Sequence, residues 1–430
     1  MTGAHSAYAQ KISLIRDAEI ENTIRQFAAP VFRVANLNPA DIRIHLVKDN
    51  SLNAFVTAGN RLFINTGLLT QAKNPGQIIG VIAHETGHIS GGHLVRISDA
   101  LAKSTAATIL SVILGGAAII AGQGQVGGVI IAAGQGIALR SFLNYTRTQE
   151  SAADQAAMRF LDGAKMSSRG LLEFMELLGE QELLPPENQD PYVRTHPLTR
   201  DRIANIAAHV ERSPYSDNPT PEKLKILYRR AKAKLFAFLN PLGATLRLYK
   251  ESDNSLESRY ARAVAYYRKA NLDKALPLID GLIAESPNDP YFWELKGQML
   301  FENGDAISAR KPYEKAVSLL PDNALLRRDL GRVLLESNDP ALLDAAIAHF
   351  SISVEQEPQS FFSWRQLAIA YGRKGDKGNS SLALAESALL RGDKSQARYH
   401  AGLAERIFPK GSREWIQAQD ILLAARQKKK

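Results

Sequence analysis

The residues in this 430-residue chain whose types and spacing could do chemistry are His84-Glu85-Thr86-Gly87-His88. Two imidazoles four positions apart share one face of a helix, so a single ion can take a ring nitrogen from each. Glu85, one step round, would face the open side of that ion and accept a proton from a bound water. Val81, Ile82 and Ala83 run into the motif and Ile89 follows it, so the helix is expected to be mostly buried. Two imidazoles and a carboxylate inside an apolar helix need a partner, and a metal ion supplies one. The chain has no cysteine. Thiolate sites and disulfides are therefore excluded, and the donors must be His and carboxylate.

A catalytic zinc usually keeps three protein donors and a water. His93 nearly completes an extended three-histidine motif, but that pattern wants its histidine where Leu94 stands. On a continuing helix His93 would also point away from His84 and His88, so it is expected to pack behind them or orient one of them. Glu150 is the better third donor. It opens Glu150-Ser151-Ala152-Ala153-Asp154, a small-faced helix with Asp154 one turn on, placed to orient a ligand imidazole through its second nitrogen. A glutamate donor on a downstream helix, followed by such an aspartate, defines the glutamate-zincin arrangement. His196 precedes Pro197 at a helix entrance and could hydrogen-bond a developing oxyanion or cap the metal when substrate is absent.

Several elements must position these residues. A helix is expected over 9–35 from Ile12, Ile15, Ile20, Ile24 and Phe27, and a strand where Ile42, Ile44 and Leu46 alternate with polar neighbours. Residues 53–56 and 62–64 read as a hairpin turning at Gly59-Asn60, and 77–91 as the metal-bearing helix. Residues 105–138 are apolar and Gly-rich without reaching clear spanning hydrophobicity, so a buried or membrane-touching helical pair is preferred over a spanning hairpin. The proline-rich stretch 213–221 marks the expected domain boundary, giving a metallopeptidase domain over 1–215 and a helical-repeat domain over 222–430.

The second half repeats. Pro287 and Pro321 lie 34 residues apart, and Trp293, Gly297, Gly304, Ala309, Tyr313 and Ala316 between them fall in tetratricopeptide register. Later copies keep Leu330, Gly331, Ala346 and Pro358, then Trp364 and Tyr371, with three extra residues near Asn338. Four to five repeats are expected, starting near residue 256. The net charge of +9 is spread among interleaved acidic residues without a basic aromatic stripe, which excludes a nucleic-acid partner. The first residues lack a secretory signal, so the chain reads as cytosolic or as a mature form with its signal removed.

Taken together, Asn53-Ala54-Phe55, Thr66-Gly67-Leu68-Leu69, the His84 to His88 motif with His93, Glu150 to Asp154, and His196-Pro197 followed by Arg202 resemble the CAAX prenyl protease/HtpX peptidase family. The resemblance is strongest to its periplasmic BepA/YfgC-like branch with a tetratricopeptide tail. It implies one zinc per chain on His84, His88 and Glu150, Glu85 as general base, and His196 and Arg202 as active-site residues on a mobile element. It also implies that Asn53, Ala54, Phe55 and Val56 hold substrate as an added strand. Further implications are a periplasmic location, quality control of outer-membrane proteins, and docking of the repeats to their assembly machinery.

The expected fold is α+β: a mainly helical glutamate-zincin domain with a small sheet, then an all-α repeat solenoid. The expected function is zinc endopeptidase acting on polypeptides, with peripheral membrane contact through 105–138. Two alternatives stand beside it: a repeat-bearing chaperone or adaptor whose protease site is latent or vestigial, and an integral membrane protease.

Overall fold

The computed structural model describes residues 13–57, 59–93, 136–182, Tyr192, His196 and 198–426. The chain forms two compact units, Met1–Leu239 and Asn240–Lys430.

In the first unit a short strand β1 (Leu14–Ile15) precedes helix α1 (Ala18–Val34). The helix begins later than residue 9 because Asp17 caps it, accepting from the Ile20 N–H at 2.9 Å. Its Ile20, Ile24, Phe27 and Val31 are buried at helical spacing. Strands β2 (Arg43–Val47), β3 (Ala54–Thr57) and β4 (Arg61–Asn65) join β1 in the order β1-β2-β4-β3. β2 runs parallel to β4, and β3 antiparallel to it as the expected hairpin. Gly59 and Asn60 take positive φ at the hairpin tip, 81° and 54°, a backbone region these two residue types tolerate. Ile44, Leu46, Ala54, Val56, Leu62 and Ile64 turn one sheet face into the core, leaving β3 as an edge strand.

Helix α2 (Thr66–Gln71) follows, then α3 (Pro75–Ser90), which carries the metal motif. Asn74 caps α3 by accepting from the Gln77 N–H, and Pro75 occupies the first turn, where its missing N–H costs nothing. α4 (Gly136–Gly163), α5 (Arg169–Glu182) and α6 (Arg200–Arg212) complete the scaffold of the site. α3 packs against α4 and α5. Close approach to α4 depends on Gly87, since a Cβ there would fall 2.7 Å from the Ala153 carbonyl oxygen.

The unit boundary departs from the proline-rich stretch. Helix α7 (Glu222–Leu239), expected to lie in the repeat domain ahead of the first repeat, belongs to the first unit. Its Leu224, Tyr228, Ala231 and Leu235 enter that core. Arg230 pairs with Glu19 at 2.7 Å, and Lys234 with Asp17 at 2.9 Å and Glu19 at 3.3 Å. Charges this deeply buried must meet their partners, so the acidic start of α1 holds α7 in place.

The second unit opens with α8 (Leu242–Leu248), followed by five helical hairpins: α9 (Leu256–Tyr267) with α10 (Leu272–Glu285), α11 (Pro290–Glu302) with α12 (Ala306–Leu319), α13 (Ala324–Glu336) with α14 (Leu343–Gln356), α15 (Phe361–Lys374) with α16 (Lys377–Leu390), and α17 (Lys394–Ile407) with α18 (Arg413–Arg426). Within hairpins, Gly297 lies against the Tyr313 ring and Gly331 against the Phe350 ring. Between hairpins, the Trp293 indole donates to the Pro287 carbonyl and the Trp364 indole to that of Pro358, each at 2.9 Å. The copy between them has no Trp there, and Arg327 Nε donates to the Pro321 carbonyl at 2.7 Å instead. One carbonyl is thus satisfied in three successive copies by two side-chain types.

No helix among the described residues is long and apolar enough to cross a membrane. Of the apolar stretch 105–138, residues 105–135 lie outside the described residues.

Candidate metal centre

α3 presents His84 and His88 one turn apart, and both are buried. Their Nε2 atoms sit 3.1 Å apart, and Glu150 of α4 reaches each at 3.3 Å through its two oxygens. His196 brings Nδ1 to 3.0 Å from Glu150 Oε2 and 3.4 Å from His84 Nε2. These four side chains form the one group of His and acidic donors spaced to hold an ion among the described residues.

The outward nitrogens of both motif histidines are engaged. His84 Nδ1 donates to Asp154 at 2.8 Å, which leaves Nε2 with a free lone pair. His88 Nδ1 meets His93 Nδ1 at 3.0 Å. For His88 to offer its own Nε2, its Nδ1 must carry the proton and His93 must accept it. With those tautomers the two Nε2 lone pairs face one another across 3.1 Å, an arrangement that a shared proton or a metal ion relieves. Donors about 3.3 Å apart are the edges of a tetrahedron whose centre lies about 2.0 Å from each, the bond length such donors make to a first-row divalent ion. The residues present therefore fit a metal ion.

Charge points the same way. Glu85, Glu150 and Asp154 are buried together with one guanidinium, Arg202, and the imidazoles of His84, His88, His93 and His196, so with neutral imidazoles full ionisation leaves two negative charges for a bound cation or imidazole protons to match. Arg202 Nε donates to Asp154 at 2.6 Å and Nη2 at 2.9 Å, while Nη1 lies 3.2 Å from Glu150. Burial opposes ionisation of Glu150 and Asp154, but His196 and His88 hold Glu150 well below the usual carboxylate range, and the Arg202 and His84 hydrogen bonds lower Asp154. Burial by itself would lower His84; its hydrogen bonds to Asp154 and Glu150 overcome this and push it up to about 10. Glu85 moves opposite to the other two carboxylates. Burial raises it to about 7 against the pull of His88 and His84, with the Val56 N–H donating to it from the sheet edge. Its Oε1 has no hydrogen-bond partner and lies 3.6 Å from His196 Nε2. A carboxylate poised near neutrality beside two that stay ionised is the division between a proton carrier and fixed charge.

The structure brings together His84, Glu85, His88, His93, Glu150, Asp154, His196 and Arg202, with Val56 alongside. His93 corrects the expectation that it points away. α3 does not continue: Gly91 ends it, Gly92 adopts φ +62°, and the reversal returns His93 to His88. A side chain at Gly91 would collide with the His93 ring at 2.4 Å. Arg202 touches the carboxylates from behind and holds them in place. Asn53 is buried with its Oδ1 unpartnered, next to edge-strand residues Ala54, Phe55 and Val56. Sequence reasoning missed Tyr192, a buried ring stacked on His196 at 4.3 Å whose carbonyl accepts the His196 N–H at 2.7 Å. An aromatic one helical turn ahead of a candidate histidine was the available signal.

With this geometry in hand, residues 15–210 match the Peptidase family M48 model. The chain is 25% identical over 380 residues to the beta-barrel assembly-enhancing protease of Yersinia pestis, covering 85% of this chain and 75% of that protein. To the Escherichia coli K12 protein of the same name it is 22% identical over 394 residues, covering 89% and 78%. The solved structure of YrrB, a TPR protein with an unusual peptide-binding site, aligns with 40% of this chain and 89% of its own at 18% identity and a TM-score of 0.34. The chain is thus a metallopeptidase, and the residues matched by the M48 model include every residue of the cluster described above.

Proposed function

We propose that this chain is a zinc-dependent endopeptidase of the glutamate-zincin type, with His84, His88 and Glu150 holding one zinc and Glu85 as general base. The observation that carries this reading is the convergence of two imidazole Nε2 atoms and one carboxylate at spacings of 3.1 to 3.3 Å. Zinc bound there would polarise a peptide carbonyl and lower the pKa of water to about 7. Glu85 takes the water proton on its unpartnered oxygen and passes it to the leaving amine. Asp154 and His93 keep the proton of each ligand imidazole on Nδ1, so that Nε2 stays free. Arg202 holds Asp154 and Glu150 ionised. The edge strand aligns substrate in extended form through the outward backbone groups around Asn53, Ala54, Phe55 and Val56.

His196 supports a second element, latency. Its Nδ1 stands at the fourth corner of the donor set, where an attacking water would have to be. Burial lowers its pKa despite Glu150, which keeps the imidazole neutral and able to donate a lone pair. In this reading the described geometry is the closed form, and His196 leaves the corner before turnover. The repeat unit recruits polypeptide partners. Carried over from the assembly-enhancing relatives, the substrates are misassembled outer-membrane β-barrel proteins, the docking partner is their assembly machinery, and the location is the periplasm.

Zinc analysis of the purified chain, paired with Glu85→Gln, tests the reading. Bound zinc should remain at one per chain while casein cleavage disappears; undiminished cleavage by the variant would overturn it. His196→Ala should raise basal cleavage if the imidazole closes the site, and lower it if the imidazole serves the transition state.

A further inference from the structure

Among the described residues β3 is the outer strand of the sheet, and its edge lies beside Glu85. Asn65 N–H donates to the Asn53 carbonyl at 2.9 Å, so 53, 55 and 57 are the positions whose backbone groups bond to β4. The alternation of an antiparallel ladder then turns the N–H and C=O of Ala54 and Val56 away from β4. Val56 demonstrates this, because its N–H meets the Glu85 carboxylate. A peptide strand bonded to the outward groups of Ala54 and to the Val56 carbonyl is thereby laid next to the proton carrier.

Side chains on the other face form a ladder. His45 stacks on Phe63 with centroids 4.7 Å apart and rings 23° from parallel, and Phe63 stacks on Phe55 at 4.9 Å and 9°. Phe63, between its two neighbours, is 6% exposed. Phe55, the last ring before that edge, is half-buried. A strand added there continues the ladder. Its residue opposite Phe55 sits at a non-hydrogen-bonded position, where Cα atoms approach to about 4.5 Å and side chains pack closest.

We infer that Phe55 selects substrate: the chain takes extended segments that place a bulky apolar side chain opposite it, as the fourth member of the His45–Phe63–Phe55 ladder. This rests on the edge-docking element of the proposed function, but not on turnover. Small or charged side chains at that position forfeit the ring contact. The remaining positions of the bound segment are held by main-chain bonds and select weakly. The substrate class is therefore an unfolded or strand-forming segment with spaced aromatic or branched aliphatic residues.

Binding to the Glu85→Gln/His196→Ala chain loaded with zinc tests the inference without cleavage and without the imidazole in the site. The probes are fluorescein-labelled Thr/Ser peptides that carry one Phe, Leu or Ala at successive positions. At one position the Phe and Leu peptides should bind about tenfold tighter than Ala, the size of a desolvated aromatic contact. Adding Phe55→Thr should reduce that preference to within about twofold while zinc content and Ala-peptide affinity hold. Phe55→Trp should restore it. A preference that survives Phe55→Thr overturns the inference, and so does the absence of any preferred position. Loss of cleavage by the unsubstituted chain would instead count against the peptidase reading, and leaves these binding outcomes interpretable.

Discussion

The metal-bearing unit and the repeat unit use the same device to opposite ends. In each, a glycine on a helix lets a neighbouring element come closer than any side chain would allow. At Gly87 the neighbour is the Ala153 backbone, and the closeness delivers Glu150 and Asp154 to two imidazoles. At Gly297 and Gly331 the neighbour is an aromatic ring, and the closeness delivers apolar packing alone. The first arrangement concentrates buried charge and converging donors that a cation would complete, whereas the second is satisfied without any ligand. Function collects where packing leaves charge unmatched.

Each arm of the comparison can be broken separately. The largest effect is expected from Glu85→Gln, which should lower kcat/KM by about 10²–10⁴-fold or more while zinc content stays at one per chain. In the unsubstituted enzyme, activity should rise with pH as Glu85 loses its proton. The acid limb should fall below about 7, because the nearby dication favours the carboxylate over its free-site value of about 7. A flat profile between pH 5 and about 7 would remove Glu85 from the role of base.

Next is Gly87→Ala. Its Cβ would meet the Ala153 carbonyl oxygen at 2.7 Å and Cα at 2.9 Å, backbone that cannot rotate aside. Zinc affinity by chelator competition should drop about 10–100-fold, comparable to removing an orienting partner. Asp154→Asn should show a loss of that order through the His84 proton, and a wild-type affinity in either variant would uncouple the helix approach from the metal.

Gly331→Ala gives the contrasting case. Its Cβ would fall 2.8 Å from the Phe350 ring, which can tilt, so thermal unfolding should report about 1–3 kcal/mol of destabilisation with zinc content unchanged. The smallest effect belongs to Trp364→Phe, which removes only the bond to the Pro358 carbonyl and should cost about 1 kcal/mol. A larger loss at Trp364 than at Gly331 would reverse the ordering of packing over hydrogen bonding in the repeats.

Much of this was legible along the chain. The His84–His88 spacing, the Glu150–Asp154 turn, the hairpin at Gly59-Asn60 and the 34-residue register each express a local period, and local periods survive folding. What was not legible depended on a chain reversal or on a distant partner. His93 looked misdirected because a positive φ at Gly92 ends the helix period on which that expectation relied. Helix α7 fell on the repeat-domain side of the proline-rich stretch because the partners of its Arg230 and Lys234, Glu19 and Asp17, lie over two hundred residues earlier. Arg327 looked unlike Trp293 and Trp364, although all three satisfy the same carbonyl.

By itself, then, the sequence determined the donor types, the absence of thiolates and the helix faces that carry His84, His88, Glu150 and Asp154, since these follow from side-chain chemistry and helical geometry. Only the tertiary structure decided that His196 stands at the fourth corner, that Arg202 locks two carboxylates, and that Glu85 is pushed up while Glu150 and Asp154 are held down. Desolvation and charge balance are collective properties of everything packed around a group, and no stretch of sequence contains them.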